Sequence, residues 1–558
     1  MTDKLNRMLR TGADVVVRTL EDRGVDYVFG VPGAKIDAVF NALVDSSIKT
    51  VVCRHEQNAA FIAGGIGRMT GNAGVCIATS GPGVSNLVTG LATANSEGDP
   101  IVALGGAVAT DESLKQIHQT MDSVALCKPV TKFSASVNSP HAVAEVVGNA
   151  FRWAEAGRPG AAFVSLPKDI MSAPAQCKLL TPPLFGGLGA ADSAAIGEAA
   201  RLINAASNPV LLLGLLASKP GTSDEVRRFI RVGRLPVIGT FQSAGAVGAD
   251  LLRNFGGRVG QLANQPADHL LGSADLVITV GYDPVEYDPS IWNKDTARTL
   301  IHIDMVSADL DSCYSPHVEL IGDIAQTLTA LTKGLVRDAV APAASNILRV
   351  IEQDRAQLGR DAAKLGGSPI HPLRLVFELQ KLMSGDVTLC LDMGSFHLWL
   401  ARHLYSFRAR QILITNGQQT LGVAMPWAIA ASLVRPGEKV LSISGDGGFL
   451  FSSMELETAV RLKSNLVHMI WIDGTYDMVA VQERAKYGRQ SGIAFGAIDP
   501  VKYADAFGAT GLMIQHADEI GTVLKRAFDI DGPVIVGVHV DYRDNHKLFE
   551  MVHADAFH

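Results

Sequence analysis

The feature that most constrains this chain is an alternation: short β-branched runs are separated by amphipathic helical stretches, and the pattern recurs three times. From residue 14 to about 165, helical stretches such as 14-DVVVRTLEDRG-24 alternate with 27-YVFGVPG-33, 50-TVVCRHE-56, 74-GVCIATSGPG-83, 101-IVALGGAV-108 and 161-AAFVSLP-167. Strands separated by helices predict a mostly parallel sheet covered on both faces. A second unit has strands near 209-PVLLLG-214, 236-PVIGT-240, 275-DLVITVG-281 and 300-LIHIDM-305. A third supplies 387-VTLCLDMG-394, 411-QILITNG-417, 439-KVLSISGDGG-448, 466-LVHMIWID-473 and 534-VIVGVHVD-541. The fold class expected is therefore α/β, with three doubly wound, mostly parallel-sheet domains at 1–177, 194–337 and 370–558. The Pro- and Gly-rich stretch 178–193 reads as a linker, and 338–369 as a second linker with the charged helix 347-ILRVIEQDRAQLGRDAAKL-365 and a turn at 366-GGSPIHP-372. No short-period repeat or low-complexity tract is evident.

Composition excludes several classes. The chain has 558 residues, of which 47% are hydrophobic and 19% charged. Those proportions belong to an ordinary folded protein with room for a large core. A net charge of −7 argues against non-specific nucleic-acid binding, which requires basic surface. The six cysteines, Cys53, Cys76, Cys127, Cys177, Cys313 and Cys390, show no C-x-x-C spacing. Reduced thiols are therefore expected, and not a zinc site or a disulfide framework. The N-terminus carries no apolar signal core, and no apolar run reaches the roughly 18–20 residues of a membrane span. A soluble cytoplasmic protein with no membrane partner is expected.

The stretch 441-LSISGDGGF-449 sets Asp446 among three glycines directly behind a strand, and Asp473 ends the apolar run that follows, 466-LVHMIWID-473. The separation is about that at which neighbouring parallel strands, joined through one helix, reach the same sheet edge. Ligands of open α/β sheets bind beyond the carboxyl ends of strands. Two hard oxygen ligands there suit Mg²⁺, which commonly shares its shell with phosphate. Gly447 and Gly448 would admit phosphate oxygens close to the backbone, with a helix from near Ser452 turning its positive end toward them. Each aspartate taken alone also fits a helix cap or a turn.

On these residues the chain resembles the thiamine-diphosphate (ThDP) enzymes, whose signature is GDG followed, at the end of the next strand, by an Asn or Asp that also binds the metal. The resemblance implies Asp446, Asp473 and the backbone oxygen of Thr475 as Mg²⁺ ligands. Ile472-Asp473 stands where many relatives have Asn-Asn. It further implies Glu56, in 53-CRHEQNAAF-61, as the carboxylate against N1′ of the aminopyrimidine; a first-turn Glu complementing its helix dipole is the alternative. In 414-ITNGQQTLGVAMPWAIAA-431 it makes Leu421 the apolar wedge between the two rings, with backbone groups of Gln419 and Leu421 on the pyrimidine edge; a core leucine is the alternative. In 392-DMGSFHLW-399 it assigns Gly394, Ser395 and Phe396 to the diphosphate, with His397 a buried, hydrogen-bonded residue, and it adds Tyr476 and Met478 to the cofactor set. The three domains become pyrimidine-binding, central and diphosphate-binding.

Within that family the chain is most similar to the FAD-independent, catabolic acetolactate synthases. The resemblance runs through 29-FGVPGAKID-37, 79-TSGPGVSNLVTGLATANSEGDP-100, 118-HQTMD-122, 391-LDMGSFHLWLARHLYSFRARQ-411, 416-NGQQT-420 and 445-GDGGFLFSSMELETAVRLK-463. It implies condensation of two pyruvates to 2-acetolactate with loss of CO₂, in acetoin or butanediol formation. Gln119 would orient substrate, and Met393 and Gln482 would contact it. Gln482 occupies the position of a tryptophan that favours 2-ketobutyrate in the biosynthetic enzymes, so pyruvate is the expected acceptor. The stretch 280-VGYDPVEYDP-289 lacks both arginines of the flavin-contacting Arg-Phe-Asp-Asp-Arg segment, so no FAD is expected. Lys35, read in the first turn of a helix, invites a substrate carboxylate or is a solvated lysine. The basic segment 484-RAKYGRQSG-492 reads as a lid or as an exposed helix and turn. The family architecture implies active sites at the interface of a homodimer or homotetramer. The alternatives are another ThDP-dependent 2-ketoacid decarboxylase, a pyruvate oxidase, or a non-catalytic nucleotide-binding protein built on Rossmann-like units.

Overall fold

A computed structural model describes residues 10–175, 179–180, 187–261, 265–295, 298–383 and 385–550. Cys177 and much of the 178–193 linker lie outside the described residues. The chain forms two compact units. The first comprises residues 1–185, 425–436 and 452–464, and the second comprises 186–424, 437–451 and 465–558.

The sheet of the first unit contains β1 (Tyr27–Val31), β2 (Lys49–Val52), β3 (Gly74–Ala78), β4 (Ile101–Ala107), β5 (Phe133–Ser136) and β6 (Ala161–Pro167), in the order β2-β1-β3-β4-β6-β5. Every pair is parallel. Strands β3 and β6 are buried along their whole length, as expected of parallel strands covered on both faces. Helix Gly12–Asp22 packs its apolar stripe into the core of this unit, against helices Asp37–Leu43 and Val143–Glu155. It begins in a capping box, in which Thr11 Oγ1 accepts from Asp14 N–H and the Asp14 carboxylate accepts from Thr11 N–H. Inside the unit, buried Arg68 donates to Asp99 at 2.8 Å and to Glu97 at 3.1 Å. This pairing compensates all three charges away from water.

The second unit holds two sheets. One contains β7 (Pro209–Leu213), β8 (Val237–Thr240), β9 (Phe255–Val259), β10 (Leu276–Val280), β11 (Thr299–Asp304) and β12 (Val318–Ile321), in the order β12-β11-β10-β7-β8-β9. This is the Rossmann arrangement, with its switch point between β7 and β10. The other contains β13 (Thr388–Leu391), β14 (Ile412–Leu413), β15 (Val440–Gly445), β16 (Leu466–Ile472), β17 (Thr510–Ile514) and β18 (Val534–His539), in the order β14-β13-β15-β16-β18-β17. Its topology repeats that of the first unit's sheet strand for strand. The two sheets of this unit are tied by Arg258, whose guanidinium donates to the carbonyls of Ala401 at 3.0 Å and Leu404 at 2.7 Å.

The expected fold class stands, and the sheets prove parallel throughout. Strands β5, β9, β12 and β17 are additions to the sequence reading. The helix expected from near Ser452 begins at Asp446, so Gly447 and Gly448 lie in its first turn. Lys35 sits in the turn before helix Asp37–Leu43 and not inside it. The thiols of Cys53, Cys76, Cys127 and Cys390 are buried and that of Cys313 is partly exposed. Among the described residues no helix is long and apolar enough to cross a membrane.

Candidate active site

In the first unit the switch point falls between β1 and β3, and three sequence-predicted residues, Glu56, Gln119 and Lys35, lie near the carboxyl ends of these strands and their neighbours. Glu56 opens helix Glu56–Thr70 directly after β2, and its Oε2 accepts from Asn86 Nδ2 at 2.9 Å. Asn86 lies on helix Pro82–Glu97, which starts beside Glu56: a Cβ on Gly83 would stand 3.6 Å from Glu56 Oε1. The loop before that helix turns through Gly81 at φ +66°, and a Cβ there would lie 3.1 Å from Gln119 Cβ. Gln119 itself adopts φ +63°, and its Oε1 accepts from Ser80 Oγ at 3.4 Å. Such a left-handed conformation is uncommon for a residue with a side chain. The Lys35 amide donates to Thr79 Oγ1 at 3.4 Å, so the Lys35 turn leans on the same loop. Glu56, Gln119 and the Lys35 turn thus border one strip of backbone, Thr79–Gly83. Asn86 escaped the sequence reading, because nothing local marks a helical asparagine whose partner is 30 residues away.

In the second unit the switch point of the last sheet falls between β13 and β15, and the remaining predicted residues gather around it. Asp446 Oδ1 accepts from Gly447 N–H at 3.1 Å and its Oδ2 from Gly474 N–H at 2.8 Å, which joins the ends of β15 and β16. Asp473 accepts from Thr475 Oγ1. Burial, followed by the like charges of Asp446 and Asp477, pushes the Asp473 carboxyl up to about 7; burial also raises Asp446. Asp477 is held by Ser395 Oγ at 2.5 Å and by Asn545 Nδ2. Two neighbouring carboxylates raised by burial, with Asp473 raised further by the charges beside it, are relieved by a cation. The donors available, two carboxylates and a carbonyl, are hard oxygens that suit Mg²⁺ with the rest of its shell supplied by phosphate and water. No group of three or more His, Cys, Asp or Glu side chains is arranged to hold a metal ion by itself among the described residues.

The glycines have a second use. A Cβ on Gly447 would stand 2.7 Å from the Tyr476 ring, and one on Gly448 would stand 3.1 Å from Asp392 Oδ2. Neither position has room for a side chain, so the first turn of helix Asp446–Ser452 stays bare, with the Gly447 amide turned to Asp446 Oδ1. Ser395 and Phe396 open helix Ser395–His403 after Gly394. The Phe396 ring is buried against Trp471, so its backbone is the part that can meet a ligand. His397 is fully buried, its ring edge on Phe241, and burial holds its pKa down to about 4, which leaves it neutral and away from any base chemistry. Gln419 is exposed at φ +50°, and Leu421 is half-exposed, contrary to a core-leucine reading. Met393 is buried. Met478 and Gln482 share helix Asp477–Tyr487, and their spacing of one turn sets them on one face. The segment 484–492 is the exposed end of that helix and a turn through Gly488 and Gly492. Asp392 was also missed, although an Asp immediately after a buried strand and two positions before a glycine is a visible signal.

A buried carboxylate sits at the carboxyl end of the middle sheet. Glu286, 2% exposed, accepts from Leu215 N–H at 3.0 Å, from Asp283 N–H at 3.1 Å and from Thr240 Oγ1 at 2.5 Å. A Cβ on Gly214 would stand 2.3 Å from the Gly281 carbonyl oxygen. The loops after β7 and β10 thus touch where a Rossmann sheet would admit a dinucleotide.

Comparison with known proteins agrees with this division. Residues 10–126 match the thiamine pyrophosphate enzyme N-terminal TPP binding domain, 196–331 the central domain, and 392–538 the C-terminal TPP binding domain. The chain is 53% identical over 545 residues to a protein of Raoultella terrigena named acetolactate synthase, catabolic, covering 97% of each. It is 48% identical over 537 residues to acetolactate synthase of Bacillus subtilis, covering 96% of this chain and 94% of that one. It is 30% identical over 547 residues to the acetolactate synthase isozyme 2 large subunit of Escherichia coli, covering 96% of each.

Proposed function

The chain belongs to the thiamine pyrophosphate enzymes and, within them, to the acetolactate synthases, and from that premise we propose that it joins two pyruvates into 2-acetolactate with release of CO₂, using ThDP and Mg²⁺ and no flavin. The observation that most supports this reading is the 53% identity to a catabolic acetolactate synthase over 97% of both chains. ThDP, when bound, supplies the carbon that attacks a keto group and the sink for the electrons of decarboxylation.

The protein's own part is to bind, orient and keep water out. Asp446, Asp473 and the Thr475 carbonyl would hold Mg²⁺, while the bare turn at Gly447 and Gly448, with Gly394, Ser395 and the Phe396 backbone, would take the diphosphate. Leu421 and the Gln419 backbone would seat the pyrimidine, with Tyr476 and Met478 beside them. Glu56 would hold a proton at Oε1 toward N1′, because Asn86 already occupies Oε2. Gln119 and Lys35 would orient the substrate carboxylate. Met393 and Gln482 would border the acceptor, where the smaller, polar Gln482 favours pyruvate over 2-ketobutyrate. Excluding water at this stage directs the reaction to carbon–carbon bond formation and away from aldehyde release.

Two structural features support the flavin-free reading. The Glu286 carboxylate already takes the Leu215 amide that an anionic pyrophosphate would need, and the β7 and β10 loops are in contact. Family architecture supports a homodimer or homotetramer, with Glu56 from one subunit serving the diphosphate site of another, in the cytoplasm and in acetoin or butanediol formation.

The test is pyruvate consumption with ThDP and Mg²⁺, scored for products. Acetolactate is expected, with loss of about 10²–10⁴-fold in Glu56→Gln, the size of a lost acid–base group. Acetaldehyde as the main product would make the protein a decarboxylase, oxygen-dependent consumption with bound flavin would make it an oxidase, and an unimpaired Glu56→Gln would remove Glu56 from the chemistry.

A further inference from the structure

One carboxylate in the second unit belongs to none of the roles above, yet it sits at the switch point between β13 and β15. Asp392 follows β13 and is 1% exposed. Its Oδ1 accepts from its neighbour Met393 N–H at 2.9 Å, and both oxygens accept from Gly422 N–H at 2.9 Å. The amides of Val423 and Ala424 also face it. These residues lead into helix Ala424–Val434, and amides at a helix start favour a negative charge. On its other side Oδ2 comes so near Gly448 that a single Cβ there would stand at 3.1 Å.

Three chain segments converge on this one side chain: Met393–Phe396, the Gln419–Leu421 loop through Gly422, and the Asp446–Gly448 turn. Burying an ionisable group is costly unless it is fully hydrogen-bonded, and a chain that needed only a helix cap could place one at the surface. Gly422, at φ +86°, aims its amide inward at the carboxylate while the preceding Leu421 stays half-exposed. The hydrogen bond therefore sets where Leu421 stands.

We propose that Asp392 is a positioning residue of the cofactor pocket: its carboxylate clamps the Leu421 loop to the Gly394 loop beside the GDGG turn, so that the pocket is pre-shaped before ThDP arrives. The inference rests on the reading that these loops hold ThDP. The Asp392 carboxylate is bonded to backbone amides, so its effect passes through Gly422 and Met393. Pre-organisation of this kind acts on binding more than on the chemical step.

The experiment compares wild type with Asp392→Asn by calorimetric titration of the metal- and cofactor-free protein with ThDP in excess Mg²⁺, and by backbone hydrogen exchange of the same protein. Asn keeps the size but turns an NH₂ toward amide donors. Weaker ThDP binding by about tenfold or more is expected, the scale of losing a supporting partner, with KM for ThDP rising by more than kcat falls. Exchange should speed up at Gly422–Ala424 in the cofactor-free variant while β13 and β15 keep their protection. Unchanged ThDP affinity in the variant, or uniformly faster exchange across the sheet, would overturn the clamp and leave Asp392 a residue of general stability. If Asp392→Asn does not fold, Asp392→Ser is read in the same way. Failure of wild type to bind ThDP at all would instead sink the cofactor reading, and the clamp with it.

Discussion

Asn86 Nδ2 donates to Glu56 Oε2 across 2.9 Å, from the second turn of one helix to the first residue of another. The bond fixes one carboxylate oxygen and leaves the other beside Gly83, so a glutamate at a helix start becomes a directed one. Asn86→Ala should keep the fold and lower kcat by about 10–100-fold, less than Glu56→Gln, because the carboxylate remains but swings. Steady-state kinetics of the two variants and their double mutant check this. If the two are coupled, the double mutant is no slower than Glu56→Gln alone.

Glu286 gives the second prediction. The purified wild-type protein should show no flavin absorbance and take up none from added FAD. Glu286→Ala should not gain a flavin site, since the β7 and β10 loops still meet at Gly214 and Gly281. It should instead lose about 1–3 kcal/mol for a buried donor left without its acceptor. Denaturant unfolding and visible spectra of both proteins check these outcomes, and stoichiometric FAD in either would refute the reading.

How much of this was legible beforehand depended on where a strand lies. Interior strands such as β3 and β16 are continuous apolar runs and stand out in the sequence. All four strands that escaped it, β5, β9, β12 and β17, lie at sheet edges. Edges are less thoroughly covered, so Phe133–Ser136 reads as FSAS and Val318–Ile321 as VELI, too polar to stand out. In β9 the Gly-Gly-Arg centre hides a buried strand. The shared topology of the first and last sheets left no sequence repeat, because strand order depends on burial pattern and not on residue identity. The site divided in the same way. Asp446, Asp473 and Glu56 could be read because each follows a strand in a local motif. Glu286 and Asn86 could not, since their partners are 71 and 30 residues away.

Asp473 yields a third test, because its charge shares a small space with Asp446 and Asp477. Asp473→Asn keeps an oxygen donor and removes one repelling charge. The metal-free variant should therefore melt at a higher temperature than wild type. The Mg²⁺ concentration for half-maximal activity should rise by about tenfold, the equivalent of about 1.4 kcal/mol of lost cation attraction. A lower melting temperature together with an unchanged Mg²⁺ requirement would place the ion elsewhere.

The buried imidazoles of the last sheet set the acid limit of the fold. His468 Nδ1 pairs with Ser442 Oγ at 2.8 Å and Nε2 with Ser444 Oγ at 2.9 Å, and the ring lies against Phe449. Burial holds its pKa down to about 3 and that of His397 to about 4, against 6.5 in an unfolded chain. Below about pH 6.5 the unfolded chain therefore binds protons that the folded chain refuses, and stability falls on acidification by up to about 1.4 kcal/mol per pH unit for each ring. Their contribution is complete above that pH, and raising the pH further adds nothing. In His468→Gln the side chain no longer titrates. The variant is less stable than wild type at neutral pH, because the fit to both serines is lost, but the gap should narrow by about 1.6 kcal/mol between about pH 6.5 and about pH 5. Urea unfolding of both proteins across that range reads the gap directly, and a gap that stays constant would show that His468 titrates in the folded protein as it does in the unfolded chain.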